Sequence, residues 1–305
     1  MENEHPEKAT HNPKEIVVIS GKGGTGKTSI AASLASLATN PALADCDVDA
    51  ADLHLVCPPK IRQSWSFSGG TKALIEQEGC TRCGLCQDLC RFDAISGNAD
   101  EGFLVDPIAC EGCNVCIDHC PTQTIRQIQP IEGLWSLSDT PYGPMAHARL
   151  SPGESNSGKL VTLVRQEAKA IAQLENKDMV FVDGSPGIGC PVQASLTDAA
   201  MAVIVTEPSV AGIHDLKRVA SLCKQLSIRA CVVINKADLH PATTQEIEAF
   251  AHESDLLVAG RIRYDAAVTQ AQVEHRPVVE LQDSKAGQDI KRLWKDLRHA
   301  IGITT

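Results

Sequence analysis

Eight of the chain's 13 cysteines fall between Cys80 and Cys120, as Cys80-x2-Cys83-x2-Cys86-x3-Cys90 and then Cys110-x2-Cys113-x2-Cys116-x3-Cys120-Pro121. The second set repeats the first at an offset of 30 residues, and the echo runs on to Ile95 and Ile125, which marks an internal duplication. Four thiolates at these intervals suit a [4Fe–4S] cube: a tight Cys-x2-Cys-x2-Cys loop wraps three corners, and the more distant Cys comes from the opposite half. Zinc fits less well, because paired Cys-x2-Cys knuckles would leave the third and fourth cysteines superfluous. A disulfide staple does not suit a large chain without a secretion signal. Arg91 stands where the second half has Pro121. A cation there would raise the potential of a neighbouring cluster, and a solvated arginine is the plainer alternative.

A second group can do phosphate chemistry. Gly21-Lys22-Gly23-Gly24-Thr25-Gly26-Lys27-Thr28-Ser29 follows an apolar run, Ile16–Ser20, and precedes an Ala/Leu-rich helical pattern reaching about Thr39. Glycines let backbone N–H groups converge on phosphates, and the helix N-terminus adds its positive dipole end. Lys27 is placed to reach the β/γ oxygens and Thr28 to ligate Mg²⁺. Downstream, Asp45-Cys46-Asp47 ends one short strand pattern, Asp183-Gly184-Ser185-Pro186-Gly187 ends another, and Asn235-Lys236-Ala237-Asp238 a third.

Two resemblances follow from these residues. The cysteine region resembles a bacterial two-cluster ferredoxin, which implies one cluster on Cys80, Cys83, Cys86 and Cys120 and another on Cys110, Cys113, Cys116 and Cys90. The extra lysine of Lys22-Gly23-Gly24-Thr25-Gly26-Lys27-Thr28 is similar to the deviant Walker A signature of the MinD/Mrp/ParA and nitrogenase-iron-protein superfamily, here with an inserted ferredoxin domain. That resemblance implies that Lys22 reaches across a dimer to the partner's phosphates and that Asp47 orients the attacking water. It implies that Asp183 acts on Mg²⁺ through water and that Gly187 turns its N–H toward the γ-phosphate. Asn-Lys-x-Asp reads guanine in small GTPases, whereas the deviant Walker A relatives seat adenine at this position, so ATP is favoured over GTP. Arg263 departs from the pattern, standing where a Pro is expected. Cys190 lies at the spacing of a cluster ligand in the nitrogenase iron protein, but no companion Cys follows, so it is expected to be a packed residue near a dimer interface.

Positioning these residues requires a particular frame. Apolar strand patterns at Ile16–Ser20, Met179–Asp183, Ala202–Thr206, Ala230–Asn235 and Leu257–Ile262 alternate with helical ones at Leu160–Leu174, Asp215–Leu226 and Thr244–His252. This predicts an α/β fold: a mostly parallel sheet with helices on both faces, interrupted by the ferredoxin domain. The expected organisation is a polar tail over 1–14, a first ATPase segment over 15–71, the insert over 72–129 and a second ATPase segment over 130–305. The Gly/Pro/Ser-rich stretch Ile131–Gly158 reads as a connecting or interface segment. From Lys285, Ile290, Leu293, Trp294, Leu297 and Ile301 share one helical face ringed by basic residues; packing on its own domain is the first reading and a membrane surface the second.

The net charge of −10 and an aromatic content of 3% argue against nucleic acid as a partner. The polar N-terminus and the lack of a long apolar run lead us to expect a cytoplasmic protein. The function expected is nucleotide-gated electron transfer from two [4Fe–4S] clusters to a partner, by a dimer with itself or with a related ATPase, using ATP and Mg²⁺. The alternatives are a cluster-assembly or delivery ATPase with a metal-cluster acceptor, and a redox-sensing positioning ATPase.

Overall fold

A computed structural model describes residues 12–152, 154 and 158–302; most of the expected N-terminal tail and part of the 131–158 stretch lie outside them. The chain opens with β1 (Lys14–Ser20), α1 (Lys27–Leu37), β2 (Pro41–Asp45), α2 (Leu53–Val56) and β3 (Lys60–Phe67). The cysteine region follows as β4 (Lys72–Ile75), α3 (Leu85–Asp88), β5 (Ile95–Asn98), β6 (Gly102–Val105), α4 (Val115–Asp118) and β7 (Ile125–Ile128). Then come β8 (Gly133–Thr140), β9 (Gly143–Leu150), α5 (Lys159–Leu174), β10 (Met179–Pro186), α6 (Cys190–Leu196), β11 (Met201–Thr206) and α7 (Val210–Gln225). The last elements are β12 (Ala230–Asn235), α8 (Pro241–Glu253), β13 (Leu257–Ile262), α9 (Ala267–Val273), a 3-10 turn and α10 (Lys285–Ile301).

The chain divides into two compact units. The first comprises 12–64, 135–149 and 158–302, and the second 65–134 with 150–152 and 154.

The first unit is built on a nine-stranded sheet in the order β13-β12-β11-β1-β10-β2-β9-β8-β3, parallel from β13 through β9. Its central strands carry apolar runs buried on both faces, as expected of a parallel sheet covered by helices. Asp183 follows the apolar run Met179–Val182 of β10 and lies in register beside Asp45, the last residue of β2. Helix α10 lays Ile290, Leu293, Trp294, Leu297 and Ile301 into the main core, with the Trp294 ring 5.8 Å from that of Phe181. Its apolar face is thus committed to its own domain, which leaves the basic face outward.

The stretch read as a connecting segment is instead a hairpin, β8–β9, that widens the main sheet past β2. Its glycines and serines imitate a loop in composition. The strands form because Ser136, Ser138, Met145, Ala146 and Ala148 are small or apolar enough to be buried at the sheet edge.

The second unit keeps the duplication in its structure. Each half has a four-residue helix, α3 or α4, entered from a left-handed residue, Gly84 or Asn114. Strand β4 pairs antiparallel with β7, and β5 with β6. Ala73, Ile75, Ile95, Phe103 and Ile125 form a small core against which six of the eight cysteines pack. So little apolar area gives limited stability by itself, the usual situation of a small domain organised by a bound metal group.

Candidate functional site

The glycine-rich loop runs from the end of β1 into α1. Gly26 has φ +90°, and a Cβ there would lie 2.4 Å from Asn235 Nδ2, so only glycine fits. Asn235, at the end of β12, donates from Nδ2 to the Thr25 carbonyl at 2.7 Å and accepts the Lys236 N–H on its own oxygen. Its amide braces the phosphate loop. Asp238 accepts the Tyr264 N–H at 2.6 Å, which fixes the following loop. Thr28 and Ser29 open α1, with Ser29 buried.

Lys27 is buried at the focus of the site, its Nζ 2.8 Å from Asp183 Oδ1 and 3.1 Å from Asp47 Oδ2. Burial disfavours the ammonium, but Asp183 and Asp47 outweigh it and hold Lys27 above its ordinary pKa. Asp45 accepts N–H bonds from Asp47 and Leu53, at 3.3 and 3.2 Å, and thereby shapes the turn carrying Asp47. Burial, with the charge of Asp183 next, pushes Asp45 well above the carboxylate range; burial also raises Asp47, against the pull of Lys27. Asp47 and Asp183 therefore share one ammonium, with the Asp45 carboxyl beside Asp183. Asp183 Oδ2 is buried with no hydrogen-bond partner among the described residues. An orphaned carboxylate oxygen in a site with surplus negative charge fits a divalent cation, and Thr28 stands at the head of the same helix.

Lys22 lies elsewhere: its Nζ is 2.6 Å from Glu207 Oε1, on the turn between β11 and α7. Lys236 reaches the other oxygen of the same carboxylate at 3.0 Å. Burial opposes ionisation of Glu207, but hydrogen bonds from Lys22 and Lys236 prevail and keep its carboxyl below the usual range. Sequence reasoning assigns Glu207 no role, because the pairing joins segments far apart in the chain. Gly187 has φ +97° and open space where a Cβ would stand; its N–H donates to the Ser20 carbonyl at 2.8 Å. Arg263 makes a two-pronged ion pair with Asp289 of α10, at 2.7 and 2.8 Å, so it ties its loop to the core.

The eight spaced cysteines ring two cavities, four to each. Cys80, Cys83, Cys86 and Cys120 line one with Phe103 and Ile125; Cys90, Cys110, Cys113 and Cys116 line the other with Phe92 and Val105. Each quartet thus takes three thiols from one half of the duplication and one from the other. Mostly apolar walls with four thiols facing in fit a cube held at its corners. Among the described residues no group of three or more His, Cys, Asp or Glu is gathered closely enough to share a single metal ion. The Thr124 and Thr122 hydroxyls lie 3.6 and 3.7 Å from Cys120 Sγ. Despite burial, their hydrogen bonds lower the Cys120 thiol to about 7. Of the other five cysteines, Cys46, Cys57, Cys223 and Cys231 are buried, and Cys190 is exposed on the single protomer at the start of α6.

A parallel sheet whose first interior strand feeds a glycine-rich loop and helix, with acidic strand ends facing that loop, defines a P-loop nucleotide-binding protein. Residues 16–278 match the CobQ/CobB/MinD/ParA nucleotide binding domain, and the chain belongs to that family. It is 32% identical to the uncharacterised protein MJ0578 of Methanocaldococcus jannaschii over 94% of this chain and 97% of that protein. The fold is similar to that of the septum site-determining protein MinD of Pyrococcus horikoshii, solved with Mg-ADP: TM-score 0.57 and 16% identity, over 95% of this chain and 98% of that one. A stretch of 60 residues, 20% of this chain, is 38% identical to part of a component of the Na⁺-translocating ferredoxin:NAD⁺ oxidoreductase complex of Acetobacterium woodii, covering 17% of that polypeptide.

Proposed function

We propose that this protein is a P-loop ATPase carrying two [4Fe–4S] clusters, whose nucleotide state gates electron delivery to a partner protein. The observation that carries the reading is the sorting of eight cysteines into two separate quartets, in a chain that also holds a complete phosphate loop with buried switch carboxylates. The 60-residue likeness to a component of an oxidoreductase complex supports the redox half. The clusters, when bound, supply one-electron storage at low potential.

The chain's own residues would divide the nucleotide work. Lys27 would leave Asp47 and Asp183 for the β/γ oxygens, since its ammonium is already within the loop. Thr28 and, through water, Asp183 would hold Mg²⁺, which supplies the positive charge that the crowded carboxylates lack. Asp47, released from Lys27, would accept a hydrogen bond from the attacking water and orient it. Gly187 would exchange the Ser20 carbonyl for a γ-phosphate oxygen, an exchange its left-handed backbone and open surroundings permit. Lys22 would leave Glu207 and cross to the phosphates of a second protomer, the same chain or a related ATPase, placing a cation on the transferring phosphoryl group.

The segment Trp65–Leu134 contains ten acidic and only four basic residues, and bound clusters would add negative charge. A redox acceptor with a basic surface therefore complements it, and nucleic acid does not. Anaerobic purification followed by iron, sulfide and nucleotide analysis tests the assignment. About eight iron and eight sulfide per chain are expected; a single zinc, or iron lost by Cys-to-Ser change in only one half, would refute two-cluster binding.

A further inference from the structure

The duplicated halves are alike in their cysteines and unlike in the residues around them. At the offset of 30 residues, Thr122 and Thr124 correspond to Phe92 and Ala94, and Thr81-Arg82 corresponds to Glu111-Gly112. Both threonine hydroxyls stand within hydrogen-bond distance of Cys120 Sγ, whereas Phe92 and Ala94 offer the other quartet no hydroxyl. Thr81 lines the cavity of the Cys80, Cys83, Cys86 and Cys120 quartet, while the carboxylate-bearing Glu111 lines that of the Cys90, Cys110, Cys113 and Cys116 quartet.

These differences act in one direction. A hydroxyl donating to a ligand sulfur stabilises the more negative, reduced form and raises the potential, while the carboxylate of a residue bordering the cavity destabilises it and lowers the potential. Arg82, between Cys80 and Cys83, is exposed, lines neither cavity and donates to the Ala99 and Asp100 carbonyls, so it does not enter the comparison. Arg91 opposes the trend, but it is exposed and does not line either cavity.

We propose that Thr122 and Thr124, with Glu111 opposing on the other side, make the two cluster sites inequivalent, the Cys80/Cys83/Cys86/Cys120 site having the higher reduction potential. This inference rests on the two-cluster reading above. One electron accepted from a low-potential one-electron donor, which is oxidised in exchange, then resides on the Cys120 side. An electron on the Cys90 side runs downhill to it.

The test is an anaerobic redox titration of the full chain, followed by electron paramagnetic resonance and visible absorbance, after iron analysis has established about eight iron per chain. Fewer irons, or a single cluster signal, would overturn the two-cluster reading itself. With both clusters present, two one-electron steps are expected, separated by at least about tenfold in occupancy, ~59 mV for a one-electron couple. The paired change Thr122→Val and Thr124→Val should lower the upper step and leave the lower one in place. Glu111→Gln, at an exposed position, should raise the lower step only, and it serves if the threonine variant does not assemble. A threonine variant that moves the lower step, a Glu111→Gln that moves the upper one, or wild-type steps that coincide would overturn the proposal.

Discussion

Lys22 and Glu207 form a 2.6 Å ion pair within one protomer, so the extra lysine of the phosphate loop is held by the turn that follows β11. Glu207 also holds Lys236, which links the loop's outer lysine to the strand end beside the nucleotide site. Any role for Lys22 on a partner's phosphates begins with breaking this pair.

Glu207→Gln should therefore favour the ATP-bound dimer. The pair is partly exposed, and such pairs contribute roughly 0–1 kcal/mol, so the gain is at most about fivefold in the dimerisation constant. Sedimentation with non-hydrolysable ATP measures it. Lys22→Ala should abolish ATP-dependent dimerisation and coupled hydrolysis while leaving the clusters' visible absorbance unchanged; equal loss of both would contradict the modular picture.

Asn235→Ala removes the amide that braces the Thr25 carbonyl. A hydrogen bond of this kind contributes about 1 kcal/mol, so nucleotide affinity should fall roughly five- to tenfold, as read by fluorescent ADP titration. Gly26→Ala should cost more, because its Cβ meets Asn235 and a left-handed backbone together.

Asp45 carries a pH signature. Its folded pKa is raised by burial and by Asp183, so the folded chain binds this proton more tightly than the unfolded chain does. Its contribution to stability is fully present below the unfolded value of about 4 and is lost as pH rises from there through the folded pKa. Asp45→Asn should flatten this part of the stability–pH curve of the protein without nucleotide, measured by denaturant melts from about pH 4 to 9. Mg²⁺ with ADP should flatten it in the wild type, by supplying the missing positive charge. A mutant curve parallel to the wild type would contradict the assignment.

Trp294→Ala should destabilise the first unit by about 3–5 kcal/mol, the usual cost of deleting a buried aromatic. Trp294 is only 6% exposed and packs on Phe181, at the centre of the sheet. Chemical denaturation measures the loss; a change under about 1 kcal/mol would mean that α10 is not part of the core.

Much of the fold is legible in the residues. The inner strands of the parallel sheet read clearly because burial on both faces demands unbroken apolar runs, and β12 occupies the expected residues; β13, a partly exposed edge strand, does so as well. Strand β3 leaves no such run, because all but its last residue are exposed and polar Gln63 interrupts the alternation of Ile61, Trp65 and Phe67. The β8–β9 hairpin reads as a connector because its small residues resemble a loop. Helices α3 and α4 are shorter than two turns, too short to show a period. The phosphate loop and the cysteine quartets are readable from local spacing. The roles of Glu207, Asp45 and the threonines at Cys120 are not, because they arise from contacts or burial that spacing does not record.

The most direct test of nucleotide-gated electron release uses the anaerobic, dithionite-reduced protein with its full iron content. Mixed rapidly with a basic one-electron acceptor such as cytochrome c, its oxidation is followed by cluster absorbance with ATP, with ADP and without nucleotide. A coupling of ~1.4 kcal/mol corresponds to a rate difference of about tenfold between ATP and ADP, and Lys22→Ala should remove it. Equal rates in all three conditions, from a protein that binds ATP and holds both clusters, would contradict gating.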